Sequence, residues 1–304
     1  MKIKKLLSVL FLIVLAFAFF GCEKKDEKTY KVILPSGTPL IAFGALLDDE
    51  NFNVEIVNGS DPLQAAFVGG EYDMIVAPFN LGAKLYLAGK SKYLIDAIIT
   101  TNNTYLISKN EYTSLDAIKD KKVLAYGAGS MPFVGVKALS DDLSLNLNIT
   151  PLNSGVADVA ASFLAQKEDY DLYMMAEPNL TILKDKTELF YFDVAKELNK
   201  TLVQACLFVN PESNVSDVVL NKIQNNIKSL NDKPEEYAKT VLNKNEFFTK
   251  LGEDNLKKAI PNCNIVYKKA VDNKDIVNST YELLNKYVPN LLNGSKPDEG
   301  FFNK

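Results

Sequence analysis

The chain contains no arginine, no histidine and no tryptophan, and only three cysteines. Without histidine there is no imidazole to act as a general base, to activate a nucleophile or to ligate a metal near neutral pH. Without arginine no guanidinium can clamp a carboxylate or a phosphate through two parallel hydrogen bonds. All 34 cationic side chains are lysine. Cysteine chemistry is equally thin. Cys206 and Cys263 lie far apart with no CxxC spacing. Outside a cell they could form one disulfide; unpaired, they serve as small buried hydrophobes. A basic stripe and an aromatic–basic ladder are also missing, which argues against a nucleic-acid partner. No catalytic constellation, no cofactor and no metal site is expected.

What is present is an ordinary globular composition over 304 residues, 47% hydrophobic and 24% charged, enough for one large or two modest cores. The net charge is −4, and Lys2, Lys4 and Lys5 sit in a leader whose removal would make the chain more acidic. Those lysines precede an apolar run over 6–20 and then Gly21-Cys22. The run is shorter than the roughly 20 apolar residues of a membrane span. Residues 1–21 are therefore expected to be a signal peptide. Residues 22–29, rich in Glu and Lys, read as a solvated tether.

The strongest internal feature is a repeat. One copy covers about 31–81 and the other about 122–180. Each opens with an apolar strand, Val32-Ile33-Leu34 or Val123-Leu124-Ala125. Each passes through a small-residue turn into a proline, Pro39 or Pro132, and a helical pattern. A second strand leads to Asn58-Gly59-Ser60 or Asn153-Ser154-Gly155 and another short helix. Both copies close on Tyr-Asp, a buried-looking strand and a proline turn: Tyr72-Asp73 to Pro78, and Tyr170-Asp171 to Pro178. Two βαβαβ units imply an α/β protein of two similar lobes, each with a doubly wound mixed sheet. A cleft between lobes is where a small molecule would sit.

The rest of the chain is read as extension and return. Residues 93–99 and 104–107 are strand-like and separated by the turn-like Thr100-Thr101-Asn102-Asn103. Residues 189–192 and 202–209 are strand-like too. Beyond 210 the pattern turns helical, with Val219, Ile223, Ile227 and Leu230 on one face behind a cap near Ser216. The expected organisation is lobe 1 over 30–110, lobe 2 over 111–209, and a helical return over 210–304 packing on lobe 1. Two crossings would then form a hinge, near Asn110-Glu111-Tyr112 and near Val209-Asn210-Pro211.

Several motifs carry a resemblance. Gly70-Glu71-Tyr72-Asp73 precedes a strand. Ser114-Leu115-Asp116-Ala117-Ile118-Lys119-Asp120 enters the second lobe, Ala176-Glu177-Pro178 ends its inner strand, and Gly294-Ser295-Lys296-Pro297-Asp298-Glu299-Gly300-Phe301-Phe302 lies near the carboxyl end. In this order they resemble the extracytoplasmic solute-binding proteins of ABC importers with the type II periplasmic-binding-protein fold. Within these the chain is similar to the nitrate/sulfonate/taurine and thiamine-precursor-like branch. Gly21-Cys22 resembles a lipobox, which implies acylation at Cys22; Phe19 and Phe20 depart from its usual pattern. The resemblance implies a monomeric, lipid-anchored protein on the outer face of the cell membrane that captures a solute and hands it to an ABC permease with its ATPase. The solute stays open between an oxyanion or sulfonate and a pyrimidine, and the lack of arginine weakens an amino-acid reading. Two other functions are weighed: a lyase-like enzyme on the same fold with Glu177 as base, and a surface interaction lipoprotein without a small-molecule ligand. Relatives that form the thiamine pyrimidine consume an active-site histidine, which this chain lacks.

Ligands of open α/β sheets bind beyond the carboxyl ends of strands. This points to Ser36, Gly37 and Thr38, to Gly129, Ser130 and Met131, and to Ser60 and Ser154. At helix starts, free N–H groups favour partial negative charge, though each hydroxyl could equally be a helix cap. Phe79, Asn80 and Glu177 follow the central strands. Phe79, Tyr105, Tyr126 and Met131 are candidates for apolar walls or for core, and Glu177 for holding a ligand amine or hydroxyl or for capping the next turn. Asp73 and Asp171 fall at strand amino ends and read as structural.

Overall fold

The computed structural model describes residues 28–165 and 169–304. The expected leader, Cys22 and most of the tether lie outside the described residues. The first repeat forms β1 (Tyr30–Pro35), α1 (Thr38–Phe43), β2 (Phe52–Val57), α2 (Asp61–Gly69), β3 (Met74–Pro78) and α3 (Phe79–Leu87). Two strands follow, β4 (Leu94–Thr101) and β5 (Tyr105–Ser108). The second repeat forms β6 (Lys122–Tyr126), α4 (Met131–Asp142), β7 (Asn148–Leu152), α5 (Val156–Leu164), β8 (Leu172–Met175) and α6 (Asn179–Lys186). Then come β9 (Phe190–Asp193), α7 (Val194–Leu198) and β10 (Val203–Val209). The carboxyl-terminal third holds α8 (Asp217–Asp232), α9 (Pro234–Val241), α10 (Glu246–Leu251), α11 (Glu253–Ala259), β11 (Ile265–Lys269), α12 (Lys274–Tyr287) and α13 (Pro289–Leu292).

Two sheets result, in the orders β11-β4-β10-β3-β1-β2 and β7-β6-β8-β5-β9. In each, the first strand of a repeat lies between its second and third strands, all parallel. In each, an antiparallel strand then joins the third: β10 beside β3, and β5 beside β8. The Tyr-Asp pairs do the same work twice. Asp73 accepts from the Lys31 N–H at 2.7 Å and Asp171 from the Lys122 N–H at 3.0 Å. Each carboxylate thus ties the amino end of a third strand to that of a first, which is the structural role expected of them.

Sheet membership corrects the expected boundaries. β5 belongs to the second sheet, so the chain crosses between lobes at 102–104 rather than near 110. β10 belongs to the first sheet, so the return crossing lies at 199–202 rather than near 210. Locally, β4 and β5 look like two arms of a hairpin around Thr100-Thr101-Asn102-Asn103. In the fold, Ile98 pairs with Cys206 while Leu106 pairs with Met174 and Phe192. The helical return also contains β11, which pairs antiparallel with β4.

Apolar spacing explains the helices that cover the sheets. Val219, Leu220, Ile223, Ile227 and Leu230 of α8 are buried on one face, and the Ser216 hydroxyl accepts from the Val219 N–H at 3.4 Å at its start. On the other face of the first sheet, α3 sits so close to β10 that a Cβ on Gly82 would come within 2.3 Å of the Phe208 ring. The terminal segment is pinned to β4. Phe302 bridges Ile95, and Asn303 donates to the buried Asp96 carboxylate at 2.8 Å. Cys206 and Cys263 are free, buried thiols. Among the described residues no helix is long and apolar enough to cross a membrane.

Candidate functional site

The carboxyl ends of β1, β2, β6, β7 and β8 converge where the lobes meet, and there the lobes touch directly. The Thr38 hydroxyl, opening α1 in lobe 1, donates to the Glu177 carbonyl of lobe 2 at 3.2 Å. Asn103, in the first crossing, joins both. Its Nδ2 donates to Thr38 Oγ1 and to the Glu177 carbonyl, each at 3.1 Å, and its Oδ1 accepts from the Glu177 N–H at 2.7 Å. Asn80, at the start of α3, donates to the Gly129 carbonyl of lobe 2 at 3.2 Å. Tyr105 of β5 donates to the Asn262 carbonyl at 3.3 Å, and Lys258 of α11 holds Asp185 of α6 at 2.8 Å. The lobes are therefore in a closed arrangement.

A hollow of about 430 Å³ remains between them. Lobe 1 lines it with Ser36, Gly37 and Asn58, and lobe 2 with Gly155, Val156, Ala157, Pro178, Asn179 and Ile182. Gly37 has φ +95°, a conformation that suits glycine, and nothing lies near where its Cβ would be. Backbone therefore meets open space at this turn. Phe247, Lys250 and Leu251 of α10 complete the wall. Lys250 is the one charged residue of the lining, and it pairs with Glu246 at 2.9 Å on its own helix. A second hollow of about 470 Å³ lies against Ala128, Gly129 and residues 287–291.

The sequence-derived candidates separate into five groups. Ser36 and Gly37 line the first hollow, and Gly129 the second. Thr38, Asn80 and Glu177 make the lobe-to-lobe contacts described above. Ser60 and Ser154 are exposed beside helix starts, and neither lines these two hollows. Ser130 caps α4, its hydroxyl accepting from the Phe133 N–H at 3.4 Å. Phe79 and Met131 are core residues rather than walls: Phe79 packs on Tyr281 with ring centroids 4.8 Å apart, and Met131 is fully buried. Both are the first residue of a helix that turns inward onto its own sheet.

Glu177 is 3% exposed. Its Oε2 accepts from the Thr181 N–H at 3.0 Å, so of its two expected roles the structure exhibits the cap. Burial pushes its carboxyl above the ordinary carboxylate range, and the Thr181 bond only partly offsets this. Burial also pushes up the nearby Cys263 thiol and the Tyr105 hydroxyl, and both feel the Glu177 charge.

Two contributions were not read from sequence. Asn103 lies in a Thr/Asn turn cluster with nothing to mark it as a lobe-to-lobe link. The α10 residues come from the tail, more than 180 positions from Ser36 in sequence.

No family model matches the chain, and no curated protein matches it. Solved structures do match. An ABC transporter protein of Parabacteroides distasonis superposes with a TM-score of 0.77 at 21% identity, covering 92% of this chain and 99% of that one. The periplasmic aliphatic sulphonate binding protein of Escherichia coli gives 0.67 at 12% identity, covering 88% and 89%. A Candida albicans protein described as having the generic periplasmic binding protein fold gives 0.57 at 14% identity, covering 90% and 93%. The chain has the periplasmic-binding-protein fold. Each of its sheets takes one strand from across the crossings, β10 beside β3 and β5 beside β8.

Proposed function

We propose that this protein is an extracytoplasmic solute-binding protein. It captures a small solute between its lobes and delivers it to an ABC permease and its ATPase. The observation that carries this reading is the 430 Å³ hollow, walled by segments that follow strands of both lobes, the lobes themselves being joined by two backbone crossings. That volume is in the range of a small-molecule site. The solute-binding and ABC-transporter descriptions of structurally similar proteins support the same reading. The leader and Cys22 fit a lipid-anchored monomer on the outer face of the membrane. The contact set we assign is Ser36, Gly37 and Asn58 from lobe 1, Gly155, Ala157 and Asn179 from lobe 2, and Lys250.

The lining holds one lysine and no carboxylate, which favours a neutral or anionic solute over a cation. Sulfonates, inorganic oxyanions and pyrimidines all satisfy this. A thermal-denaturation panel of these compounds, with amino acids as a further arm, tests the reading. A true solute at a hundred times its dissociation constant stabilises the fold by about 2.7 kcal/mol. Stabilisation by one compound class supports solute capture; a panel without any stabilisation contradicts it. Recovery of permease subunits with the full chain from membranes tests the partner.

A further inference from the structure

We propose that closure of the two lobes takes up a proton at Glu177, so that acidity favours the closed arrangement. The geometry at the lobe contact carries this. Glu177 sits on the turn between β8 and α6; its backbone is held by Thr38 of lobe 1 and by Asn103 of the crossing, and its side chain is buried beside Cys263 of lobe 1. With its backbone held from both sides, the residue stays in the contact while the lobes are closed. Closing the lobes therefore removes this carboxyl from water.

Among the described residues no cation is in contact with it to keep it charged. The titratable groups beside it are Cys263 from lobe 1 and Tyr105 from β5, both kept neutral by burial, and Lys184 from α6, which acts on it only weakly. The helices packed against α6 add nothing that neutralises it. α11 brings Lys258, held by Asp185 at 2.8 Å, and Lys257, held by Glu253 at 2.5 Å. α5 brings Asp158, an exposed carboxylate. A buried carboxylate with no cation in contact favours its neutral form, and one N–H bond only partly offsets this. The protonated acid keeps an oxygen that can accept the Thr181 N–H.

The direction follows from linkage. The carboxyl is pushed up in the closed arrangement and is ordinary when exposed to water. Closure is thus fully favoured below the ordinary carboxylate value and loses that advantage as pH rises through the raised one. Across that window the closed-to-open ratio changes by up to about tenfold per pH unit, with the slope of one proton.

The proposal does not depend on which solute binds, because it concerns the free protein. Hydrogen exchange of the full chain without added compound, corrected for intrinsic rates between about pH 8 and about pH 5, tests it. Peptides spanning 36–43 and 175–182 report the two faces of the contact. In the wild type, protection of both is expected to rise together as pH falls. In Glu177→Gln, protection is expected to be high and flat across the range. Asn103→Ala keeps the carboxyl, so it should lower protection at every pH while retaining the slope. A wild-type profile without slope overturns the proposal whatever the variants do. So does a Glu177→Gln profile that keeps the wild-type slope.

Discussion

Asn103 clasps Glu177 at both ends of its backbone, accepting from the N–H at 2.7 Å and donating to the carbonyl at 3.1 Å. The same amide reaches Thr38 of the other lobe. One side chain in the first crossing thereby fixes the distance between the lobes. Asn103→Ala leaves the buried Glu177 N–H without this acceptor, and an unmet buried group costs about 1–3 kcal/mol. The expected result is a lower melting temperature and weaker affinity for any compound that the panel identifies. Unchanged stability and affinity would show that the clasp does not set the closed arrangement.

A second tie sits beside the return crossing. Asp142 of α4 accepts from Lys200 at 2.7 Å, from Lys286 at 2.6 Å and from the Tyr287 hydroxyl at 2.6 Å. The Lys200 hydrogen bond comes first among the causes that hold this carboxyl far below the ordinary carboxylate range. A lowered value means stability that is present above the unfolded-state value and lost as pH falls toward the folded one. Because these lysines are partly exposed, Asp142→Asn should cost only about 1 kcal/mol, less at high salt. Thermal melts at neutral pH and at acid pH check this: the gap from wild type should narrow in acid.

Packing between α3 and β10 allows a sharper test. Gly82→Ala places a methyl where the Phe208 ring already lies, 2.3 Å away. Overpacking of this kind costs about 1–3 kcal/mol, even though alanine favours a helix. Denaturant unfolding should show a lower midpoint with the same slope.

Asp96 is fully buried and accepts from Lys269 at 2.8 Å, from the Tyr267 hydroxyl at 3.0 Å and from Asn303 at 2.8 Å. It joins β4, β11 and the carboxyl-terminal residues. Asp96→Asn weakens charge-assisted bonds worth about 1.5–3 kcal/mol each, so the terminal segment should lose amide protection before the rest of the first sheet. Uniform loss across the sheet would contradict a local role.

The repeat was legible because each copy carries its own local signals. Asp73 and Asp171, the proline turns and the small-residue helix starts recur in one order, and each pair occupies equivalent places in the two sheets. The crossings were not legible. β5 and β10 have the composition of any buried strand, and sheet membership is decided by partners far away in sequence, such as Met74 with Val209 and Ile98 with Cys206. The strand ends pointed to Ser36 and Gly37, but the opposite wall from Phe247, Lys250 and Leu251 comes from the amphipathic tail. Nothing in the spacing of that tail distinguishes a cleft wall from an ordinary surface helix. Phe79 and Met131 show the converse. Their position after a strand suggested a wall, and the direction of the first helical turn sent them into the core.

The central claim is that a solute occupies the 430 Å³ hollow between the lobes. Ala157 lines that hollow from an exposed position on α5, so a larger side chain there fills space without disturbing the core. The decisive measurement is calorimetric affinity of Ala157→Trp against wild type, using the compound that stabilises the wild type, with a melt of the free variant as control. The expected result is at least a tenfold loss of affinity, about 1.4 kcal/mol, with the free protein melting as wild type does. Equal affinity in a folded Ala157→Trp variant would place the solute elsewhere and contradict the account.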